Sequence, residues 1–313
     1  MTHRKYAPAR LEAIFPALLT LAAIASQAGA ASPPGGEPGA AAADHAAVIR
    51  EWRERRHERL ASEEGWLTLV GLEWLKDGAN RLGTGQDSDI RLPGGPADWG
   101  TVHVNGDEIN FAPVAGASIT VEGEPASPAR LVADNQGQPS VVRSGTLSFH
   151  VIHRGSYALR IKDTRAPTLL AFTGVDNYPI DPSWRFDARF IPAEPGQTIE
   201  IGDVLGQLNP MPVLGTVEFE RDGQSYSLLG LAEEGIDSIW FLFADRTTGR
   251  ETYGAGRFLY SDGMPVNGRV VVDFNKAYNP PCAFSEYSTC PLPPPQNRLD
   301  LAVTAGEKDY HSD

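Results

Sequence analysis

Residues 213–231 read VLGTVEFERDGQSYSLLGL, and they decide the fold class. Val213, Gly215, Val217 and Phe219 alternate with Thr216, Glu218 and Glu220, the period of a strand with one face buried. Arg221, Asp222 and Gly223 form a turn, and a second apolar run follows to Leu231, so the segment predicts an antiparallel hairpin. The same signature recurs along the chain. Residues 101–104 and 108–111 flank Asn105-Gly106, which predicts a type I′ turn, and residues 147–152 and 157–161 flank a bend at 153–156. Residues 239–243 and 251–260 flank 245–250, with the turn centred on Arg246 to Gly249. Residues 66–75 predict two short apolar strands broken at Gly71, and 270–274 and 299–304 predict later strands. Strands at this spacing belong to sandwiches or barrels, so the expected fold is all-β after an N-terminal helix.

Two β units are expected, at 62–165 and 166–313, divided at Arg165-Ala166-Pro167. Ahead of them, Arg4, Lys5 and Arg10 precede an apolar run at 14–24 and the small-residue sequence Ala28-Gly29-Ala30, the pattern of a secretory signal over residues 1–30. The run is too short to span a bilayer, so a chain that is exported, periplasmic or secreted, and not membrane-spanning once processed, is expected. Residues 31–43, rich in Pro, Gly and Ala, predict a disordered linker. Asp44 is placed to cap a helix over 44–61, whose stripe of Ile49, Trp52, Arg56 and Leu60 docks one face on the body.

The chain carries 27 Lys and Arg against 40 Asp and Glu. Removing Arg4, Lys5, Arg10 and Glu12 with the leader leaves 24 against 39, a surface that phosphate backbones repel, so nucleic acid is not an expected partner. The only two cysteines, Cys282 and Cys290, read first as a disulfide in an oxidising compartment, worth about 2.5 kcal/mol on the chain-entropy account. A free structural pair, or a catalytic or metal-binding pair, stands beside that reading. The common nucleophile-elbow, zinc-helix and phosphate-loop patterns are absent, His150 and His153 point to opposite faces of one strand, and no metal site or cofactor is named.

Two segments hold the candidate binding residues. In residues 240–258 the hairpin geometry puts Tyr253 and Arg257 on one face, and a buried Arg257 needs Asp245, Glu251 or Asp273 as its carboxylate; the alternative is a clamp for a ligand anion. In residues 273–297 the prolines forbid a helix or a central strand, leaving an ordered loop that carries Asn275, Lys276, Tyr278, Asn279 and Asn297. Such a loop either holds a ligand or covers a sheet edge. A thiol nucleophile at Cys282 lacks a nearby histidine base.

Residues 273–299 (DFNKAYNPPCAFSEYSTCPLPPPQNRL), with TYGAGRFLY at 252–260 and GWLTLVGLEWL at 65–75, closely resemble an uncharacterised bacterial family catalogued as domain of unknown function sixteen-eighty-four. The likeness runs from about Ala47 to Lys308 and implies a grouping with no mechanism. Residues 80–93 (NRLGTGQDSDIRLP) and 102–106 (VHVNG) resemble the opening of a forkhead-associated β-sandwich. Here Leu82-Gly83-Thr84 lacks the arginine after glycine, and Ala97-Asp98-Trp99-Gly100 stands where that family has its serine, so the resemblance implies the fold and not phosphopeptide binding.

The expected function is an exported binding or accessory protein for a small molecule or glycan of the cell envelope. A hydrolase-like enzyme with its site in residues 245–297, and a purely structural envelope protein, are the alternatives. The sequence assigns no oligomeric state.

Overall fold

The computed structural model describes residues 38–310 of the chain. Residues 1–30, expected to be a secretory signal, and residues 31–37 of the expected linker lie outside them. The first unit contains β1 (Leu69–Trp74), β2 (Gly78–Gly83), β3 (Ile90–Arg91), β4 (Gly100–Asn105), β5 (Glu108–Pro113), β6 (Thr120–Val121), β7 (Glu124–Pro125), β8 (Ala129–Leu131), β9 (Val142–Ser144), β10 (Leu147–His153) and β11 (Tyr157–Asp163). The second contains β12 (Arg185–Pro192), β13 (Thr198–Gly202), β14 (Leu208–Arg221), β15 (Gln224–Leu231), β16 (Trp240–Phe243), β17 (Arg257–Tyr260) and β18 (Arg269–Asp273). Helix α1 (Pro38–Leu60) precedes both, and one helical turn, α2 (Pro167–Leu170), follows β11. The described structure is therefore mostly β, as the alternation requires.

In the first unit, a sheet ordered β1-β11-β10-β9-β6-β7 faces one ordered β3-β2-β4-β5-β8. Every second residue of the facing strands is buried between them. Phe149 of β10 packs edge-on against Phe111 of β5, with ring centroids 5.9 Å apart, and Trp99 lies 5.9 Å from the same ring. The opposite face of β10 and β11 carries Ser148, His150, Ile152, Ala158, Arg160 and Lys162. Ile152 and Ala158 are fully buried there. In the second unit, the order β17-β16-β15-β14-β12-β18, with β13 against the start of β14, wraps as a half-barrel. Its core holds Val217, Leu228, Phe241, Phe243 and Phe274.

Several local expectations change. Helix α1 starts at Pro38, within the stretch read as linker; the alanines before Asp44 are strong helix formers and outweigh its capping preference. Asp222 and Gly223 alone close the β14–β15 hairpin, both with positive φ (53° and 75°), which is the two-residue geometry that residues 213–231 encode. In the β4–β5 hairpin, Asn105 pairs with Glu108, and Gly106 is the residue with positive φ. That turn is not type I′, which needs both central residues left-handed. Residues 66–75 are one short helical turn followed by the single strand β1; Gly71 lies at its bulge because a Cβ there would stand 2.9 Å from Ile161 Cδ1.

The fourth hairpin is wider than expected. Phe243 pairs with Arg257 and Phe241 with Leu259, so β17 begins only at Arg257 and residues 244–256 form a broad connection. Asp245 and Thr247 organise it: Asp245 Oδ1 accepts from Thr247 N (2.7 Å) and Thr247 Oγ1 (2.6 Å). Residues 299–304 are not a strand. Leu299 N and Leu301 O bond the backbone of Ala244 and Arg246, and the Val303 carbonyl accepts from the Arg257 side chain instead of from a ladder.

Candidate functional site

A cavity of about 690 Å³ opens where α1 and the two β units meet. Three separate sequence patterns build it. On α1, Trp52, Arg56 and Arg59 follow helical spacing, while Ile49 and Leu60 are buried beneath the same helix. From the first unit come Trp66, Arg154 and Arg160, the last on the outward face of β11. From the second, Trp240 of β16 stands opposite Tyr260 of β17, and Phe258 shares their face. Tyr278 and the segment 288–291 of the proline-rich loop complete the wall.

The aromatic wall is ordered by ring contacts. Trp240 stacks on Tyr260 (6.3 Å, 16°), Tyr260 on Tyr278 (6.0 Å, 18°), and Trp52 tilts over Tyr278 at 6.4 Å. Tyr260 donates its hydroxyl to Glu233. Burial, then Tyr278 and Glu233, raises the Tyr260 phenol well above its ordinary range, and burial pushes Tyr278 up to about 12. Both phenols therefore stay protonated donors at neutral pH.

The cavity is rich in cations although the whole chain is acidic. Arg56 is matched by Glu307 (3.0 Å) and lies 4.8 Å from the Tyr278 ring centroid, and Arg154 is matched by Asp134 (2.9 Å). Arg160 is only 6 % exposed and has no carboxylate within ion-pair distance among the described residues. Its Nε has no hydrogen-bond partner there, and its Nη2 donates a long 3.4 Å bond to Thr289 Oγ1. Desolvation, then Arg154, pushes the Arg160 guanidinium down to about 10, so it remains charged at neutral pH.

His150 pairs across the ladder with Arg160. Burial, then Arg160 and Lys162, pushes its imidazole down to about 4. The unfolded chain titrates this group near its ordinary value of about 6.5. Between those values the unfolded state binds a proton that the folded state refuses. His150 thus costs no stability above about pH 6.5 and favours unfolding as pH falls from there toward 4, by at most about 3 kcal/mol. Denaturant melts at pH 4.5 and 7.5 should show His150→Gln losing clearly less stability on acidification than the wild type. An unchanged acid slope refutes the assignment.

Of the residues singled out in the sequence, Tyr278 lines the cavity, and Lys276 borders a smaller recess of about 210 Å³ beside it, with Nζ 2.5 Å from Asp262. The others serve the framework. Arg257 is fully buried on the Phe243 face of β17, paired with Asp245 (2.9 Å), and donates to the carbonyls of Val303 (2.9 Å), Ala305 (2.5 Å) and Glu307 (3.2 Å). The ligand clamp at Arg257 is corrected accordingly: the two-residue period of β17 turns Arg257 into the barrel core and Phe258 toward the cavity. Tyr253 donates to the carbonyl of Cys282 (3.0 Å). Asn275 bridges Asp181 and Asp273, Asn279 donates to the carbonyl of Lys308, and Asn297 joins the backbone of Leu229 to that of Leu242. Cys282 and Cys290 form a disulfide, and Cys290 lies in the cavity wall. With both sulfurs bonded to each other, neither is a nucleophile.

The proline-rich loop both covers an edge and lines the cavity. Tyr278 exchanges two backbone hydrogen bonds with Phe258 (2.8 and 2.9 Å), extending the sheet beyond β17, and prolines follow at 280 and 281. The contribution of Trp66, Arg154, Arg160 and Glu233 lies in segments that sequence reading treated as framework. An arginine in the middle of an apolar strand, ALRIK at 158–162, is the signal that marks Arg160.

A second concavity of about 690 Å³ lies over β12, β14, β15 and β18. Two exposed ion pairs cross it, Arg189 with Glu218 (3.0 Å) and Arg269 with Asp187 (2.7 Å), and Arg185 and Glu220 also line it. Among the described residues, no group of three or more His, Cys, Asp and Glu side chains is placed to hold a metal ion, and no helix is long and apolar enough to cross a membrane.

A family model described as "Protein of unknown function (DUF1684)" matches residues 170–308. A solved structure of an uncharacterised protein from Haloarcula marismortui is 32 % identical, over 44 % of this chain and 77 % of that one, with a TM-score of 0.37. The FHA domain of FhaA, solved with the intracellular domain of Rv3910, is 20 % identical over 29 % of this chain and 97 % of its own, with a TM-score of 0.21. A phosphothreonine-dependent FHA domain is 21 % identical over 30 % of this chain and 96 % of its own, with a TM-score of 0.20. No curated protein matches the chain.

Proposed function

The chain belongs to the DUF1684 family of proteins of unknown function, and from that premise we propose that it is an exported binding protein for an envelope-derived small molecule or glycan that enters the junction cavity. The observation that carries this reading is the aromatic wall of Trp52, Trp240, Tyr260 and Tyr278 around a space of about 690 Å³. Cavities of this size, apolar with a few convergent polar groups, take ligands of the dimensions of a disaccharide or a fused aromatic ring system. Flat rings and the apolar faces of sugars both stack on such walls, and the Tyr260, Tyr278 and Ser238 hydroxyls supply hydrogen bonds at their margin. Export rests on the basic, apolar and small-residue order of residues 1–30.

N-phenyl-1-naphthylamine, a neutral fused-ring fluorophore, tests the cavity directly. Saturable one-site enhancement of its emission is expected, with matching quenching of tryptophan fluorescence, because Trp52, Trp66 and Trp240 all line the space. Trp52→Ala removes one wall and should weaken the binding about tenfold. Unsaturable uptake, or equal binding by Trp52→Ala, overturns the assignment of the site.

A further inference from the structure

We infer that the ligand of the junction cavity is acidic, a carboxylate or phosphate carried on a flat or apolar body, and that its charge sits on Arg160. This rests on the cavity being the binding site. The protein contains its own standard for a structural buried arginine: Arg257 has a carboxylate at 2.9 Å and three carbonyl acceptors. Arg160, only 6 % exposed, has neither among the described residues. Its guanidinium carbon lies 5.2 Å from the Trp66 ring centroid and it lines the cavity; the Nε atoms of both arginines are unpartnered among the described residues, so the contrast lies in the carboxylate and the carbonyl acceptors that Arg160 lacks. Asp134 attracts Arg160 only from beyond ion-pair distance and is itself paired with Arg154, and a buried cation so weakly compensated is costly; a ligand anion is the group that removes the cost.

The neighbours fit that role. Thr289 Oγ1 accepts from Arg160 Nη2 (3.4 Å) and from Arg154 Nε (3.3 Å), so one hydroxyl sits between two guanidiniums. With its lone pairs engaged, its own proton is left to donate. Guanidinium and hydroxyl donors around one point are the recognition chemistry of carboxylate and phosphate oxygens. Among the described residues Glu233 is the one carboxylate lining the cavity, and it is occupied by the Tyr260 hydroxyl. The attraction is local to the site, since the chain as a whole has a formal charge of −13.

The closing experiment compares two probes with the same ring system, neutral N-phenyl-1-naphthylamine and its sulfonated counterpart 8-anilinonaphthalene-1-sulfonate. The wild type should bind the sulfonate at least about tenfold more tightly. Arg160→Gln should weaken the sulfonate roughly 10–100-fold, leave the neutral probe within about twofold, and not lower the melting temperature, because the lost charge orphans no partner. Phenyl phosphate and benzoate should displace the sulfonate while benzyl alcohol does not, and the stronger competitor identifies the anion. Equal binding of the two probes by the wild type, an unchanged sulfonate affinity in Arg160→Gln, or failure of that variant to fold overturns the assignment of Arg160. Failure of both probes to bind removes the cavity reading itself.

Discussion

Arg257→Met should lower the melting temperature by roughly 10–15 °C, from a loss of about 4 kcal/mol. The guanidinium is fully buried and satisfies four acceptors at once: Asp245 Oδ2 and the carbonyls of Val303, Ala305 and Glu307. Methionine fills much of the volume but leaves Asp245 Oδ2 without its counterion and three carbonyls without their donor, and each such orphan costs about 1–3 kcal/mol before relaxation. Asp245→Asn should cost less. It keeps an acceptor oxygen for Arg257, and the carbonyls keep their donor. Replacing both residues, Arg257→Met with Asp245→Leu, removes the orphaned charge but not the orphaned carbonyls, and it takes the Asp245 acceptor from Thr247 N and Oγ1, so at most part of the stability should return. Thermal melts of the four proteins read this pattern directly. Full recovery in the double variant would show that the ion pair alone matters and that the carbonyl anchoring of residues 303–307 contributes nothing.

How much of this was legible in the sequence follows from the reach of each pattern. The hairpin at 213–231 was legible because alternation and an Asp-Gly turn act over neighbouring residues. The connection at 244–256 was misread because its organisation depends on Asp245, which is held both by Thr247 nearby and by Arg257 at the start of the next strand. A local pattern cannot register that second tie. For the same reason residues 299–304 looked like a strand: Val303 and Ala305 are buried as strand residues are, but their carbonyls are taken by a side chain. The proline-rich loop was recognised as ordered, and Tyr278 within it reaches the cavity. The remaining walls come from α1, from β11 and from β16–β17, which only the packing of the two units on the helix brings together. Arg160 was the exception that sequence carried in plain view, a cation among apolar residues whose missing partner became visible only in three dimensions.

Glu307 joins the helix wall to the rest of the cavity. Glu307 is 1 % exposed and accepts from Arg56 Nε on α1 (3.0 Å) and from the backbone of Asn279 in the proline-rich loop (2.7 Å). It therefore ties the wall that carries Trp52 to the loop that carries Tyr278. Further ties hold α1, among them the buried Ile49 and Leu60, the contact of His45 with Asp273 (2.7 Å), the bond from Arg53 to the carbonyl of Tyr178 (3.0 Å), the bond from Arg56 Nη2 to the carbonyl of Asn279 (2.9 Å) and the stack of His57 on Phe172. Glu307→Ala leaves Arg56 uncompensated and the Asn279 N–H without its acceptor, a loss of about 3 kcal/mol concentrated at the helix contact. The β cores are separate from this contact and should survive. Hydrogen exchange should then accelerate in α1 well before it does in β10, β11 or β16, and binding of N-phenyl-1-naphthylamine should fall at least about tenfold. Cooperative loss of protection in helix and strands together would mean instead that α1 is part of the folding unit of the β body, and that the cavity cannot open at the helix without the protein unfolding.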